Sequence, residues 1–407
     1  MVLLIYMDKN LEKQIDEILT RGVNEVIDFA NLRKKLLSGE KLRIKLGIDP
    51  TSSNLHLGRA VTLLKLKDLQ DLGHEIVFII GDFTGVIGDT SDKESERPML
   101  EKETVEKNLK TYLKQAGKIL DMNKVESHRN SEWLAKLGYG EIGEQADQFS
   151  LAEFNARENI RKRLDEGKRI SLRELLYPLM QGYDSVMIKA DVEIGGTDQR
   201  FNLLAGRELQ KYYKQEAQDI LMVNLIEGTD GRKMSSSWGN TINLLDSAND
   251  MFGKIMSIPD ELIIKYFIHC TRVDMKEVKK LEKEMNDDKL NPRDAKLRLA
   301  GEIVEIYHGE ENARVAREYF INTFSKKEIP IDIAEFKIRG DAMKLIEILV
   351  QSKNATSLGD ARRKIEQGGI SINDGKIADA QILITKEYNG SVLRIGKLGF
   401  LKIVFKK

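Results

Sequence analysis

The sequence predicts an α/β chain in three parts: a parallel-sheet domain, a helical region and a small α+β segment. Three observations predict it. Strand-length apolar runs alternate with helix-period stretches from residue 41 to about residue 226. After residue 257 the period is helical, and the final segment pairs a short helix signal with a hairpin signal. The chain's 407 residues, 41% apolar and 32% charged with 6% aromatic, suit several globular domains and exclude a disordered or collagen-like chain.

The first strand is read at residues 42–48. Asp49-Pro50-Thr51-Ser52-Ser53-Asn54 turns the chain, and a helical pattern runs to a stop at Gly73 before a second apolar strand at 75–80. Such a unit makes a right-handed parallel crossover. Its helix start lies at the carboxyl edge of the sheet, where free N–H groups bind phosphate. Residues 98–140 are helix-like, notably 104–120, and are read as an insertion with a packing role. Strand and helix signals then alternate at 185–192, 201–213 and 220–226, and a polar, mobile-looking stretch follows at 227–240. Asn291-Pro292 is an N-cap and first-turn pair opening a helix to about His308, and 332–340 is read as a linker. The expected domains are 1–240, 241–335 and 341–407, without internal repeats.

Charge and cysteine content narrow the class. Sixty-five basic residues balance sixty-five acidic ones, but residues 341–407 hold twelve Lys and Arg against seven Asp and Glu, net +5. The longest apolar run, residues 1–7, is too short for a bilayer span and lacks the flanks of a secretory signal. Cys270 is the only cysteine, which excludes an intrachain disulfide framework and cysteine-based zinc sites. A cytoplasmic protein without a membrane partner is expected, with no tightly bound protein metal.

Two short motifs carry the chemistry. His56-Leu57-Gly58-Arg59 opens the helix of the first unit, and Gly58, a costly residue one turn into a helix, marks a close approach by another group. Lys233-Met234-Ser235-Ser236-Ser237 lies between Gly231 and Gly239, where a lysine on a hinged loop suits moving phosphate charge. A solvated serine loop is the plain alternative. Tyr177, Gln181 and Asp184 fall at i, i+4 and i+7, so a helix puts them on one face. On spacing alone, Tyr177 fits a core position and Asp184 a surface charge equally well.

His56-Leu57-Gly58 resembles the HIGH signature of class I aminoacyl-tRNA synthetases, and the segment from Lys233 resembles their KMSKS loop. The segment containing Tyr177, Gln181 and Asp184, with Gly195-Gly196-Thr197-Asp198-Gln199, is similar to the amino-acid and ribose segments of tyrosyl-tRNA synthetases. The resemblance covers about residue 41 to the C-terminus and implies a Rossmann-like catalytic domain with a helical anticodon-side domain. It implies that Asp184 accepts the phenolic hydrogen, that Asp89, Tyr177 and Gln181 surround the substrate ammonium, and that Gln199 lies near the carboxylate. ATP would meet Gly47, Asp49, His56, Gly58, Gly196, Asp198 and Lys233. Thr51, His56, Lys233, Lys93 and Arg97 would stabilise phosphate charge, with Mg²⁺ on the ATP. A tyrosine carboxylate is already ionised near pH 7, so its attack on the α-phosphorus needs no general base.

The sequence departs from the pattern at three places. Arg59 replaces the second HIGH histidine, Lys45 stands where many members carry tyrosine, and Ser236 replaces the second KMSKS lysine. At the C-terminal end, Ser357 to Asp360 is a capping pattern, the next helix carries Arg362, Arg363 and Lys364, and Asn373-Asp374-Gly375 marks a hairpin. This order resembles the alpha-L RNA-binding module, and implies tRNA(Tyr) as partner beside tyrosine and ATP. The family resemblance also implies a homodimer. The rival readings are a tryptophan-specific relative, a small-molecule nucleotidylyltransferase, and a synthetase-derived RNA-binding protein with impaired catalysis.

Overall fold

Six strands form the first sheet: β1 (Val23–Ile27), β2 (Arg43–Ile48), β3 (Glu75–Ile80), β4 (Val125–Arg129), β5 (Val192–Gly196) and β6 (Asp219–Val223), in the order β1-β6-β5-β2-β3-β4. This computed structural model describes residues 2–50, 53–88, 101–325, 333–373, 375–396 and 399–406. All neighbours in the sheet are parallel except β1, which runs antiparallel to β6 at one edge. Residues 76–80 of β3 are all buried, as expected where both faces of a parallel strand are covered. From β2 the chain proceeds to β3 and β4 on one side, whereas β5 and β6 lie on the other. The order therefore reverses between β2 and β5, and a crevice opens beyond their carboxyl ends.

The Leu57–Asp71 helix makes the first crossover and buries Leu57, Ala60, Val61, Leu64 and Leu66. Gly73 stops it at φ +94°, a left-handed conformation favouring glycine. The insertion around 98–140 holds the Lys102–Ala116 helix and also β4, an edge strand. Residues 185–188 are the last turn of the Leu172–Ile188 helix, and the strand begins only at Val192. The helices Ala248–Met256, Ile263–Cys270, Met275–Asn286, Pro292–His308 and Glu310–Phe320 follow. Asn291 caps the fourth of these, accepting from the Arg293 N–H.

The chain divides into two units, Met1–Arg314 and Val315–Lys407. In the second, β7 (Glu335–Arg339), β8 (Ala342–Lys344), β9 (Ile370–Ile372), β10 (Gly375–Lys376), β11 (Leu383–Thr385), β12 (Val392–Ile395) and β13 (Gly399–Lys406) form a five-stranded sheet β10-β9-β12-β13-β7 and a β11-β8 pair. The segment read as a linker thus contributes β7, parallel to β13. Ile338, Leu345, Leu349, Ile365, Leu393 and Ile403 form this unit's own core. Ser357 caps the Leu358–Glu366 helix by accepting from the Asp360 N–H. Among the described residues, no helix is long and apolar enough to cross a membrane.

Candidate active site

A cleft of about 870 Å³ lies at the carboxyl ends of β2 and β5. The described residues assigned from sequence to the adenylation chemistry all line it. Gly47 and Asp49 come from β2 and its turn, and His56 and Gly58 from the helix start. Tyr177, Gln181 and Asp184 come from one face of the Leu172–Ile188 helix, Gly196, Asp198 and Gln199 from β5 and beyond, and Lys233 from the loop after β6. A capping box fixes where the Leu172–Ile188 helix begins: Ser171 accepts from the Arg173 N–H, and Glu174 reaches back to the Ser171 N–H. Thr51, Asp89, Lys93 and Arg97 lie outside the described residues.

Asp184 is 3% exposed, with Oδ1 accepting from the Trp133 indole at 2.7 Å and Oδ2 from the Asn130 amide at 3.4 Å. Burial raises its pKa to about 7, opposed by Lys45 and by these two donors. Asn130 also donates to Thr84 Oγ1 at 2.9 Å, and Thr84 donates to Asp49 Oδ1 at 2.8 Å. Tyr177 donates its hydroxyl to Asp49 Oδ2 at 2.7 Å. Gly81 makes this possible, because a Cβ there would lie 2.0 Å from Asp49 Oδ1.

At the helix start, His56 Nδ1 is buried without a hydrogen-bond partner among the described residues. Burial, then the neighbouring Arg59 and Lys233 charges, lower its pKa to about 3, so the ring is neutral at physiological pH. The close neighbour at Gly58 is this ring itself, 3.0 Å from where a Cβ would stand. Lys233 Nζ pairs with Asp198 Oδ2 at 3.0 Å. Its loop is held by Asn240, which accepts from the Ser235 N–H at 2.8 Å and donates to Asp230 Oδ1 at 2.7 Å. At Gly47 a Cβ would meet nothing within 4 Å.

Residues 37–325 match the family model described as tRNA synthetases class I (W and Y), and residues 326–400 match the tyrosine–tRNA ligase SYY-like C-terminal domain. The tyrosine–tRNA ligase 2 of Clostridium acetobutylicum is 48% identical over 401 residues, covering 97% of this chain and 99% of that protein. The chain belongs to the tyrosine–tRNA ligases. The Thermotoga maritima tyrosine–tRNA ligase is 46% identical, covering 96% of this chain and 97% of that protein. In fold, the chain is similar to the tyrosyl-tRNA synthetase of Archaeoglobus fulgidus crystallised with L-tyrosine, at TM-score 0.60 and 24% identity over 75% of this chain and 99% of that one. A truncated mitochondrial tyrosyl-tRNA synthetase of Aspergillus nidulans gives TM-score 0.63 at 20% identity, over 78% of this chain and 99% of that one.

Within this tyrosine–tRNA ligase the three departures have distinct surroundings. Arg59 lines the cleft, and its guanidinium makes no hydrogen bond or ion pair among the described residues. Ser236 also lines the cleft, in a short 3₁₀ turn. Lys45 is 0% exposed and spends its three N–H donors on Gln181 O at 2.7 Å, Ser185 Oγ at 2.7 Å and Glu193 Oε1 at 2.9 Å. Thr84, Asn130, Trp133 and Glu193 were not legible as site residues, since no local pattern links them to the cleft. In the second unit Arg362 is exposed, Arg363 donates to Asp360 Oδ1 at 2.7 Å, and Lys364 donates to Asn354 O at 2.8 Å while pairing with Asp360 at 3.0 Å.

Proposed function

We propose that this chain joins tyrosine to ATP as tyrosyl-adenylate and passes the tyrosyl group to the 3′ end of tRNA(Tyr). The observation carrying this reading is the convergence of both motifs and the Tyr177, Gln181 and Asp184 face on one cleft. A tyrosine carboxylate oxygen bonds to the α-phosphorus as the bond to pyrophosphate breaks. A terminal ribose hydroxyl of tRNA then attacks the tyrosyl carbonyl, an ester forms, and AMP leaves. ATP enters as its Mg²⁺ complex, the ion being carried on phosphate oxygens as part of the substrate.

Asp184 takes the phenolic hydrogen, and Gln181, with Asp89 and Tyr177, surrounds the ammonium. Gln199 lies near the carboxylate and Asp198 near the ribose. The neutral His56 ring meets the nucleotide, beside Gly47, Asp49, Gly58 and Gly196. Lys233, with Thr51, Lys93 and Arg97, stabilises charge growing on the phosphates, which speeds the step only where contact is stronger in the transition state.

The reading assigns residues 1–240 to catalysis, 241–335 to the anticodon side and 341–407, with Arg362, Arg363 and Lys364, to RNA binding. Homodimerisation is what the family resemblance implies. A cytoplasmic location agrees with the single buried Cys270. The test is amino-acid-dependent exchange of pyrophosphate into ATP, followed by charging of tRNA(Tyr). Exchange driven by tryptophan but not tyrosine, or no exchange in a folded protein that still binds tRNA, would overturn it.

A further inference from the structure

Glu193, which lines the cleft, belongs to a buried ion pair that the adenylation chemistry leaves without a role. Lys45 on β2 and Glu193 on β5 are paired across the two strands, 0% and 1% exposed, and directly opposite in register. Glu193 is surrounded by donors. Oε1 accepts from Lys45 at 2.9 Å and from the Gln181 Nε2 amide at 3.1 Å. Oε2 accepts from Ser185 Oγ at 3.2 Å and Gln218 Nε2 at 2.5 Å. With its three protons already committed, Lys45 has none left for a substrate hydroxyl.

Gln181 is therefore gripped twice, its backbone carbonyl by Lys45 and its side-chain amide by Glu193. An ionised carboxylate accepts and never donates, so the end of the amide turned to Glu193 must be the NH₂. The oxygen then has no partner among the described residues, on a side chain lining the cleft. We infer that Glu193, held by Lys45, is a positioning residue that fixes the Gln181 amide so that its oxygen, not its NH₂, is presented to the substrate ammonium. The inference rests on the reading that Gln181 meets this ammonium. A reversed amide would point two N–H donors at a cation.

The test compares tyrosine with its deamino analogue, 3-(4-hydroxyphenyl)propionate, which keeps the phenol and carboxylate but has no ammonium. Calorimetric binding of both ligands is measured on the full chain and on Glu193→Gln, where residue 193 can donate and the Gln181 amide is free to reverse. Tyrosine affinity should fall about 10- to 150-fold, the range of one hydrogen bond to a charged group, with analogue affinity nearly unchanged. In steady state the loss should appear in KM more than in kcat. Lys45→Met/Glu193→Gln removes both charges and should show the same selective loss, which covers the case in which the single variant folds poorly. The exchange Gln181→Glu/Glu193→Gln restores an acceptor facing the ammonium and should recover part of the affinity. Equal losses for the two ligands, or none, would overturn the inference. Gln181→Ala separates it from the reading beneath: if that variant leaves the tyrosine-to-analogue ratio unchanged, Gln181 does not meet the ammonium. A ratio that moves in Gln181→Ala but not in the Glu193 variants would sink the positioning role alone.

Discussion

Replacing Asp184 by Asn keeps the side chain's size and removes one charge from the cleft. Oδ1 is occupied by the Trp133 indole at 2.7 Å, whereas Oδ2 has only the Asn130 amide at 3.4 Å, so the phenolic O–H is expected on Oδ2. In the variant the amide oxygen stays with Trp133, and NH₂ replaces the acceptor that the phenol needs. A hydrogen bond to a charged acceptor contributes about 1.5–3 kcal/mol. Tyrosine kcat/KM should therefore fall about 10- to 150-fold. Phenylalanine, which makes no such bond, should lose less, for a site built to bond a hydroxyl rejects the analogue without one; tyrosine enzymes are the standing example of that rule. Because burial raises the Asp184 pKa to about 7, the natural protein's preference for tyrosine should weaken below pH 7, as the carboxyl is protonated, and the Asn variant should lose that trend. Stability runs the other way. Carrying this carboxyl from 3.8 to about 7 costs about 4 kcal/mol. The cost is absent below pH 4 and complete above pH 7, so Asp184→Asn should flatten the decline between them. Pyrophosphate exchange with each amino acid from pH 6 to 8.5, and urea melts from pH 4 to 8, measure the two effects. Parallel losses for both amino acids, or a surviving pH trend in the ratio, would refute this placement of the phenol.

Other perturbations give separate tests. Lys45→Met should destabilise the first unit by about 3–5 kcal/mol, since it strands a buried carboxylate, and adding Glu193→Gln should recover much of that loss in urea melts. Lys233→Ala should slow adenylate formation far more than it weakens tyrosine binding, and an unchanged single-turnover rate in rapid-quench kinetics would remove it from the mechanism. His56, with its pKa lowered to about 3, should stay neutral by NMR down to about pH 4. The unfolded ring takes its proton near 6.5, so His56 contributes stability above that pH that is lost as the pH falls towards 3. A His56 titration near pH 6.5 in the folded protein would contradict the buried, cation-flanked setting.

What the sequence disclosed and what it hid divide on physical grounds. β2, β3 and the Leu57–Asp71 helix were legible because buried elements need apolar runs or helical periods. β4, Val-Glu-Ser-His-Arg, and β1, Val-Asn-Glu-Val-Ile, lie at sheet edges, where burial no longer demands such a run, so neither declares itself. The same holds for β7, read as a linker. The 185–188 stretch has an apolar content that fits a strand or the last turn of a buried helix, and its packing decided for helix. Within the site, His56, Lys233 and the Tyr177, Gln181 and Asp184 face were visible because motif or period placed them. Trp133 lies 51 residues from Asp184 and Lys45 lies 140 from Ser185 in the chain. Contacts of that kind arise only when the sheet assembles.

Two separately filled interiors make cooperativity a property of each unit. Among the described residues, the core around Ile338, Leu349 and Ile403 takes none from Met1–Arg314, so two-state unfolding of the whole chain is not expected. Scanning calorimetry should resolve two transitions. An assay of adenylate formation would register only one of them, and a preparation fully active in exchange could already have lost the fold of residues 333–406.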